Sequence, residues 1–147
     1  MSSTPRFFTV DEANELIPQL AHVMGQQMKL LGEIEGLVRS LSAELGALDE
    51  EQIRPADTDV PAVRERKNAL GRAVQTYRDR WTRIEETGVI LKDPRLGLVD
   101  FYARMEGETV LLCWQYGEEE VCFWHPVDEG FAGRRPLHDL APAPVLN

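Results

Sequence analysis

The sequence predicts an α+β fold, in which an antiparallel, coiled-coil-like helical hairpin is followed by a small antiparallel β-meander. Through the first half, apolar residues recur every three or four positions, which is the period of an amphipathic helix. After Gly88 they fall in short runs separated by glycine-bearing turns, which is typical of antiparallel strands. We expect a single domain over residues 1–147, with the hairpin at 9–87, the meander at 88–127 and an irregular tail at 128–147.

The first predicted helix begins at a capping box formed by Thr9 and Glu12. A heptad follows, with one column at Ile17, Met24, Leu31, Val38 and Leu45 and a second at Leu20, Gln27, Ile34 and Leu41. Only Gln27 is polar, which favours a coiled-coil-like seam. Val23, Leu30 and Leu37 widen the apolar stripe beyond what one partner helix covers. We therefore expect self-association through the hairpin, as a homodimer or another homo-oligomer.

Charge predicts how the two long helices pair. Residues 47–60 are acidic and contain proline, so they are interpreted as the linker, and a second amphipathic helix follows over 61–87. The first helical segment, 10–50, has eight acidic and two basic residues, whereas 61–84 has seven basic and two acidic ones. Opposite charge on consecutive helices joined by a short linker favours an antiparallel hairpin. A nucleic-acid-binding face is the less favoured interpretation of the basic helix, because the compensating acids lie in the same chain.

The meander prediction rests on two assumed two-residue loops, at 106–107 and 117–118. With these loops Phe101, Leu112 and Phe123 face one another on an apolar side that packs against the helices. The opposite side then carries Asp100, Cys113 and Cys122 in one row across three strands. His125 falls on the apolar side in this register. A slip of one residue in either loop exchanges the two sides.

Three stretches of the chain resemble the signature blocks of a bacterial family: FFTVDEANELIPQL, GVILKDPRLGLVDF and LLCWQYGEEEVCFWHPVDEGFAGRRPL. The family is the domain of unknown function family numbered 2203, and the resemblance covers nearly the whole chain. It implies a stand-alone bacterial domain with a helical first half, and it brings no activity, substrate or cofactor. The residues that match its polar signature are Asp100, Cys113, Trp114, Glu118, Trp124, His125 and Arg134. Glu119, Glu120 and the tail from Leu137 onward depart from the family's pattern.

The row of Asp100, Cys113 and Cys122 is a candidate metal site, because carboxylate and thiolate are common zinc ligands. The spacing lacks C-x-x-C and H-x-x-x-H, so structural cysteines are the favoured interpretation. A redox pair of Cys113 and Cys122 is a further alternative, since directly opposed cysteines sometimes form a disulfide. No cofactor and no catalytic residue are predicted.

The loop GFAGRRP is a candidate site for a small anionic ligand. Backbone amides near Gly130 and Gly133, together with the Arg134 guanidinium, can bind a phosphate or carboxylate. His125, five residues before Gly130, is interpreted first as a buried, hydrogen-bonded histidine at a strand end. The alternative is that it lines the same pocket and acts there as an acid or base. The alternative to anion binding, which is the favoured interpretation, is that Arg134 forms an internal ion pair with an acid such as Asp100 or Glu118.

Composition narrows the functional classes. A net charge of −9 disfavours a nucleic-acid partner, and no apolar run reaches the length of a membrane span. The first residues lack the features of a secretory signal, and two cysteines suit a reducing compartment, so we expect a cytoplasmic protein. A non-catalytic interaction or self-association module is the favoured function. The alternative is a protein that binds a small anionic ligand or a metal, or an enzyme, with its site at the sheet edge around His125 and Arg134.

Overall fold

The computed structural model describes residues 4–137. Its helices are α1 (Val10–Leu45), α2 (Glu50–Ile53) and α3 (Pro61–Glu85). Its strands are β1 (Ile90–Asp93), β2 (Leu98–Met105), β3 (Glu108–Gln115), β4 (Phe123–Pro126) and β5 (Arg135–Pro136), with one 3₁₀ turn at Phe131–Gly133. The strands form one antiparallel sheet in chain order, so the predicted α+β class is confirmed. Within the described range, none of the helices combines the length and apolarity needed to cross a bilayer.

The chain divides into two compact units. One consists of Gln26–Trp81, and the described residues before and after it form the other. The sheet and the first turns of α1 belong to the second unit. The part of the predicted tail beyond residue 137 lies outside the described residues, and β5 is a short strand inside the stretch expected to be irregular.

Side-chain contacts in the unit Gln26–Trp81 define an antiparallel helical pair. Gln27 Nε2 donates to the backbone carbonyl of Tyr77 over 2.9 Å, which satisfies the polar position in the predicted heptad. Further along α1, Ser40 and Glu44 both accept from the guanidinium of Arg66. Residues further along α1 therefore contact residues earlier in α3, so the two helices are antiparallel, as the charge pattern predicted.

In this unit the second heptad column stays in the core, whereas the end of the first column does not. Leu41 is fully buried and packs with Val63 and Leu70. Val38 and Leu45, which the heptad assigned to the seam, are each 37% exposed, so that assignment is wrong at these two positions. A straight helix turns by about 20° per heptad relative to a seven-residue column. The first column therefore leaves the interface towards the end of α1.

The linker is more ordered than its composition suggests. Its single turn, α2, begins with a capping box in which Asp49 accepts from the backbone N–H of Gln52 over 2.8 Å. Lys67 is buried on α3 and donates to the backbone carbonyl of Arg54 and to the carboxylate of Asp59. This buried lysine therefore fastens the linker to the hairpin.

In the sheet-bearing unit, the predicted capping box is present. The backbone N–H of Thr9 donates to the Glu12 carboxylate over 2.9 Å, and the N–H of Glu12 donates to the Thr9 hydroxyl over 3.0 Å. The chain before α1 is tied to β2 by Phe8, whose N–H donates to the carbonyl of Tyr102 and whose ring packs edge-on against Phe101. The first turns of α1 are thereby positioned against the sheet.

The hairpin between β2 and β3 has the predicted register. Its loop is the dipeptide Glu106-Gly107, and both residues have positive φ, at 53° and 84°, as a type I′ turn requires. Phe101 pairs with Leu112, and Asp100 pairs with Cys113. The assignment of these two strands to their two faces is therefore confirmed.

The register predicted between β3 and β4 is wrong by one residue. Leu112 pairs with Trp124 rather than Phe123, and Cys113 pairs with Phe123 rather than Cys122. The strands are joined by residues 116–122 instead of a two-residue loop. Glu118 stabilises this longer loop because its carboxylate accepts from the backbone N–H of Gln115 over 2.7 Å. One residue of slip exchanges the two faces of β4.

Candidate functional site

The corrected register brings three metal-ligating side chains together on one face of the sheet. They are Asp100 of β2, Cys113 of β3 and His125 of β4, and their side chains are all buried. Asp100 and Cys113 are directly paired, and His125 pairs with Leu111, two residues before Cys113 on the same face. One potential ligand atom from each of the three residues lies within 4.8 Å of the other two.

Two hydrogen bonds fix the histidine ring. Nδ1 of His125 lies 2.8 Å from the carbonyl oxygen of Pro126, and Nε2 lies 3.1 Å from Oδ2 of Asp100. A carbonyl oxygen only accepts, so Nδ1 carries a proton and donates it. Nε2 and the carboxylate oxygen then need one proton between them to make their bond. The imidazole and carboxyl group together are therefore electrically neutral.

Burial controls the protonation of the other two groups. It raises the pKa of Asp100, and this effect is opposed by the nearby His125 and by Lys92, whose Nζ lies 3.9 Å from Oδ2. Burial, followed by the charge of Asp100, raises the pKa of Cys113 to about 12. Cys113 is consequently a thiol at neutral pH and a poor nucleophile, since the thiolate is the reactive form. The three residues therefore do not form an activated cysteine triad.

A cavity of about 210 Å³ opens onto this cluster. Besides the three clustered residues, it is lined by Lys92, Asp93, Leu98 and Phe131. Asp93 holds the turn between β1 and β2, where its Oδ1 accepts from two backbone N–H groups. Lys92 is half exposed and reaches the cavity from the edge strand β1. The cluster is thus buried but adjoins space that a small ligand can enter.

A larger groove of about 660 Å³ lies elsewhere in the same unit, between the N-terminal segment and the end of α3. Its lining includes Arg6, Glu85, Glu86 and Tyr102. Arg6 is already bonded to the carbonyl of Thr87. Among the described residues, the group with metal-ligand geometry is the one at the smaller cavity, and we therefore regard that cavity as the candidate site.

Cys122 does not join the cluster. It precedes β4, is exposed, and pairs with no residue of β3, whereas Cys113 is buried. Both cysteines are free thiols, so the directly opposed pair expected from the sequence is absent from the structure. His125 takes the place that the sequence analysis gave to Cys122. The run of three glutamates before Cys122 was the available signal, because it favours a solvated loop over a two-residue turn.

The loop around Arg134 is internally paired. One guanidinium nitrogen of Arg134 donates to both carboxylate oxygens of Glu118, over 2.8 and 2.9 Å, and the group stacks on Phe123 and Phe131. Gly130 precedes the 3₁₀ turn and Gly133 ends it. The structure thus contains the ion-pair alternative, with Glu118 as the partner.

A protein carboxylate also occupies the space beside one of the two loop glycines, Gly133. A Cβ at Gly133 would collide with the carboxylate of Glu129, which is itself paired with Arg135. Arg134 is not among the residues lining the cavity beside His125. The structure therefore does not bring His125 and Arg134 into one pocket, and anion binding at Gly130, Gly133 and Arg134 stays a prediction.

The residues that carry the family resemblance fall into contact groups. Asp100, Cys113 and His125 form the cluster, and Glu118 links to Arg134 and, through its backbone carbonyl, to the indole of Trp114.

No curated protein and no solved structure matches the chain. One family model does match, over residues 6–137, and it describes an uncharacterized conserved protein. The chain therefore belongs to the domain of unknown function family numbered 2203.

Proposed function

We propose that the protein binds a divalent transition metal, zinc in the first place, through Asp100, Cys113 and His125. The clustering of a carboxylate, a thiol and an imidazole within 4.8 Å supports this proposal. These are the three common zinc donors, and three protein ligands with one open position are typical of catalytic zinc sites. A tetrahedral zinc ion separates its ligand atoms by about 3.3–3.6 Å, given the usual bond lengths. The observed Nε2–Oδ2 distance of 3.1 Å needs only a small adjustment.

The single observation that carries the proposal is the orientation of His125. Its Nδ1 donates to the carbonyl of Pro126, and its Nε2 is directed at Asp100. Metal-binding histidines almost always donate their second ring N–H to a carbonyl or carboxylate, which fixes the tautomer that coordinates. The alternative is a buried, hydrogen-bonded histidine beside a structural cysteine, and metal binding separates the two interpretations.

Cobalt titration tests the site directly. Tetrahedral Co²⁺ bound by thiolate gives strong visible absorption and a sulfur-to-metal charge-transfer band in the near ultraviolet. The wild-type protein and Cys122→Ser are expected to show both features, and Cys113→Ser is expected to lose the charge-transfer band. Circular dichroism melts confirm that each variant is folded. The proposal is wrong if folded wild-type protein produces no such spectrum, or if Cys122→Ser abolishes it. Elemental analysis with native mass spectrometry of the purified protein identifies the resident metal.

A second candidate function is self-association, which the exposure of Val38 and Leu45 supports. These residues lie seven apart on α1, and such a column is self-complementary when a second copy packs on it about a two-fold axis. Val38→Asp is expected to give monomers without unfolding the chain, because Val38 is not in the core. Sedimentation of the wild type at tens of micromolar, roughly, tests the idea, and a purely monomeric wild type contradicts it.

We also propose that the protein works in the bacterial cytoplasm. Both cysteines are free, and buried Cys113 serves as a ligand only while it stays reduced. A reducing compartment meets that requirement. Localisation of a fluorescent fusion tests this, and an extracytoplasmic signal would contradict it.

A further inference from the structure

We infer that the metal site binds a short-chain carboxylate, with its oxygens on the metal and on Lys92 and its alkyl tail against Leu98 and Phe131. This inference rests on the proposed function, because it concerns the coordination position that the three protein ligands leave open. The cavity of about 210 Å³ is lined by all three ligand residues, so space for a further ligand adjoins them. The ligand is therefore an added small molecule.

The volume limits the ligand's size. The cavity of about 210 Å³ is smaller than the roughly 300–1,000 Å³ of pockets that hold drug-sized ligands. That space suits a molecule of roughly six non-hydrogen atoms, which is the size of a four-carbon carboxylate. A nucleotide or a peptide is too large to enter beyond one end.

The charges of the cavity favour a monoanion over a dianion. A zinc ion held by one carboxylate, one thiolate and one neutral imidazole has a net charge of zero. Lys92 supplies the one further positive charge among the described lining residues, and Asp93 contributes a negative one. Lys92 forms a 3.9 Å ion pair with Asp100, which is beyond hydrogen-bond distance, so the hydrogen-bond donors of its ammonium are not used by that carboxylate. A dianionic phosphate would meet Asp93 without a second cation to balance it.

The rest of the wall selects an apolar tail. Leu98 is buried on β2, and Phe131 is 43% exposed in the 3₁₀ turn beside the cavity. A partly exposed phenylalanine at a cavity edge supplies apolar surface that an alkyl group can cover. An alkyl carboxylate matches the metal, the lysine and this wall together, whereas inorganic phosphate uses only the first two.

Cobalt-loaded protein provides the test, because the visible spectrum of Co²⁺ shifts when an added ligand enters its coordination shell. Acetate, butyrate and inorganic phosphate are titrated separately into the wild type, Lys92→Met and the matched surface control Lys29→Met. We expect butyrate to bind more tightly than acetate, and acetate more tightly than phosphate. Lys92→Met is expected to weaken butyrate by about tenfold or more, as befits a lost hydrogen bond to a charged group, without weakening cobalt. Lys29→Met should match the wild type.

Each outcome decides between failure of the site and failure of the ligand class. If cobalt itself does not bind, the proposed metal site fails and this inference fails with it. If cobalt binds but no carboxylate moves the spectrum, the inference alone is overturned. Tighter binding of phosphate than of butyrate refutes the carboxylate class. Equal butyrate affinity in the two lysine variants refutes the role of Lys92.

Discussion

Zinc binding at Asp100, Cys113 and His125 is expected to release two protons. Cys113 carries the first as a thiol, because burial raises its pKa to about 12. The second lies between Nε2 of His125 and Oδ2 of Asp100, which are 3.1 Å apart and cannot both act as acceptors. Zinc needs the lone pairs of all three groups, so both protons must leave. The buried cluster then exchanges two protons for one dication and stays neutral.

The magnitude follows from that count. Each proton released changes the apparent affinity tenfold per pH unit, so zinc affinity should fall by about 100-fold when the pH drops from 7 to 6. Calorimetry in two buffers with different ionisation enthalpies measures the protons released at each pH. Cys113→Ser should release one proton at most, because serine keeps its hydroxyl proton, and Cys122→Ser should release two. Zinc binding with no proton release in the wild type would refute the protonation states assigned to the cluster.

Three further predictions concern stability and are checked by chemical or thermal unfolding. Leu41→Ala should lower the free energy of unfolding by about 2–5 kcal/mol and Val38→Ala by less than about 1, and equal losses would restore the heptad seam. Arg134→Lys should destabilise the unliganded protein by about 1 kcal/mol or more; wild-type stabilisation by phosphate that the variant lacks would instead support an anion site. Gly107→Ala should lower the free energy of unfolding by about 1 kcal/mol, because this residue has a positive φ. Gly97→Ala should lower it clearly more, because its Cβ would also lie 2.5 Å from a neighbouring side-chain carbon. Similar losses in the two variants would contradict that contact.

The features predicted correctly depend on neighbours in the chain. The capping box of Thr9 and Glu12 needs only a spacing of three, and the dipeptide Glu106-Gly107 fixes its hairpin because both residues adopt positive φ. Once that turn is fixed, each residue of β2 pairs with the residue of β3 at the same distance from the turn, and Asp100 therefore pairs with Cys113. Each of these features is decided within a few residues, where local rules are strong.

The features missed depend on contacts that the chain order does not contain. His125 reaches the cluster because residues 116–122 form a loop that Glu118 stabilises. The amino-acid sequence of this loop does not show which of several possible turns it adopts. Val38 and Leu45 are exposed, which the seven-residue repeat does not show because the buried stripe of a helix drifts relative to such a column. The sequence analysis identified Asp100 and Cys113 as candidate ligands but placed Cys122, rather than His125, beside them.

The one-residue offset of β4 has a consequence for how this family can vary in length. Successive side chains of a strand point to opposite faces of the sheet. His125 therefore faces Asp100 because of the number of residues that separate it from the start of β4, and not because it is a histidine. Insertions absorbed by the 116–122 loop leave the paired strand unchanged and should be neutral to metal binding. A single residue inserted between Phe123 and His125 would instead present a tryptophan or the inserted residue to the cluster and turn the imidazole away. An insertion in the 116–122 loop should therefore keep the site, whereas an insertion two or three positions further along the chain should destroy it.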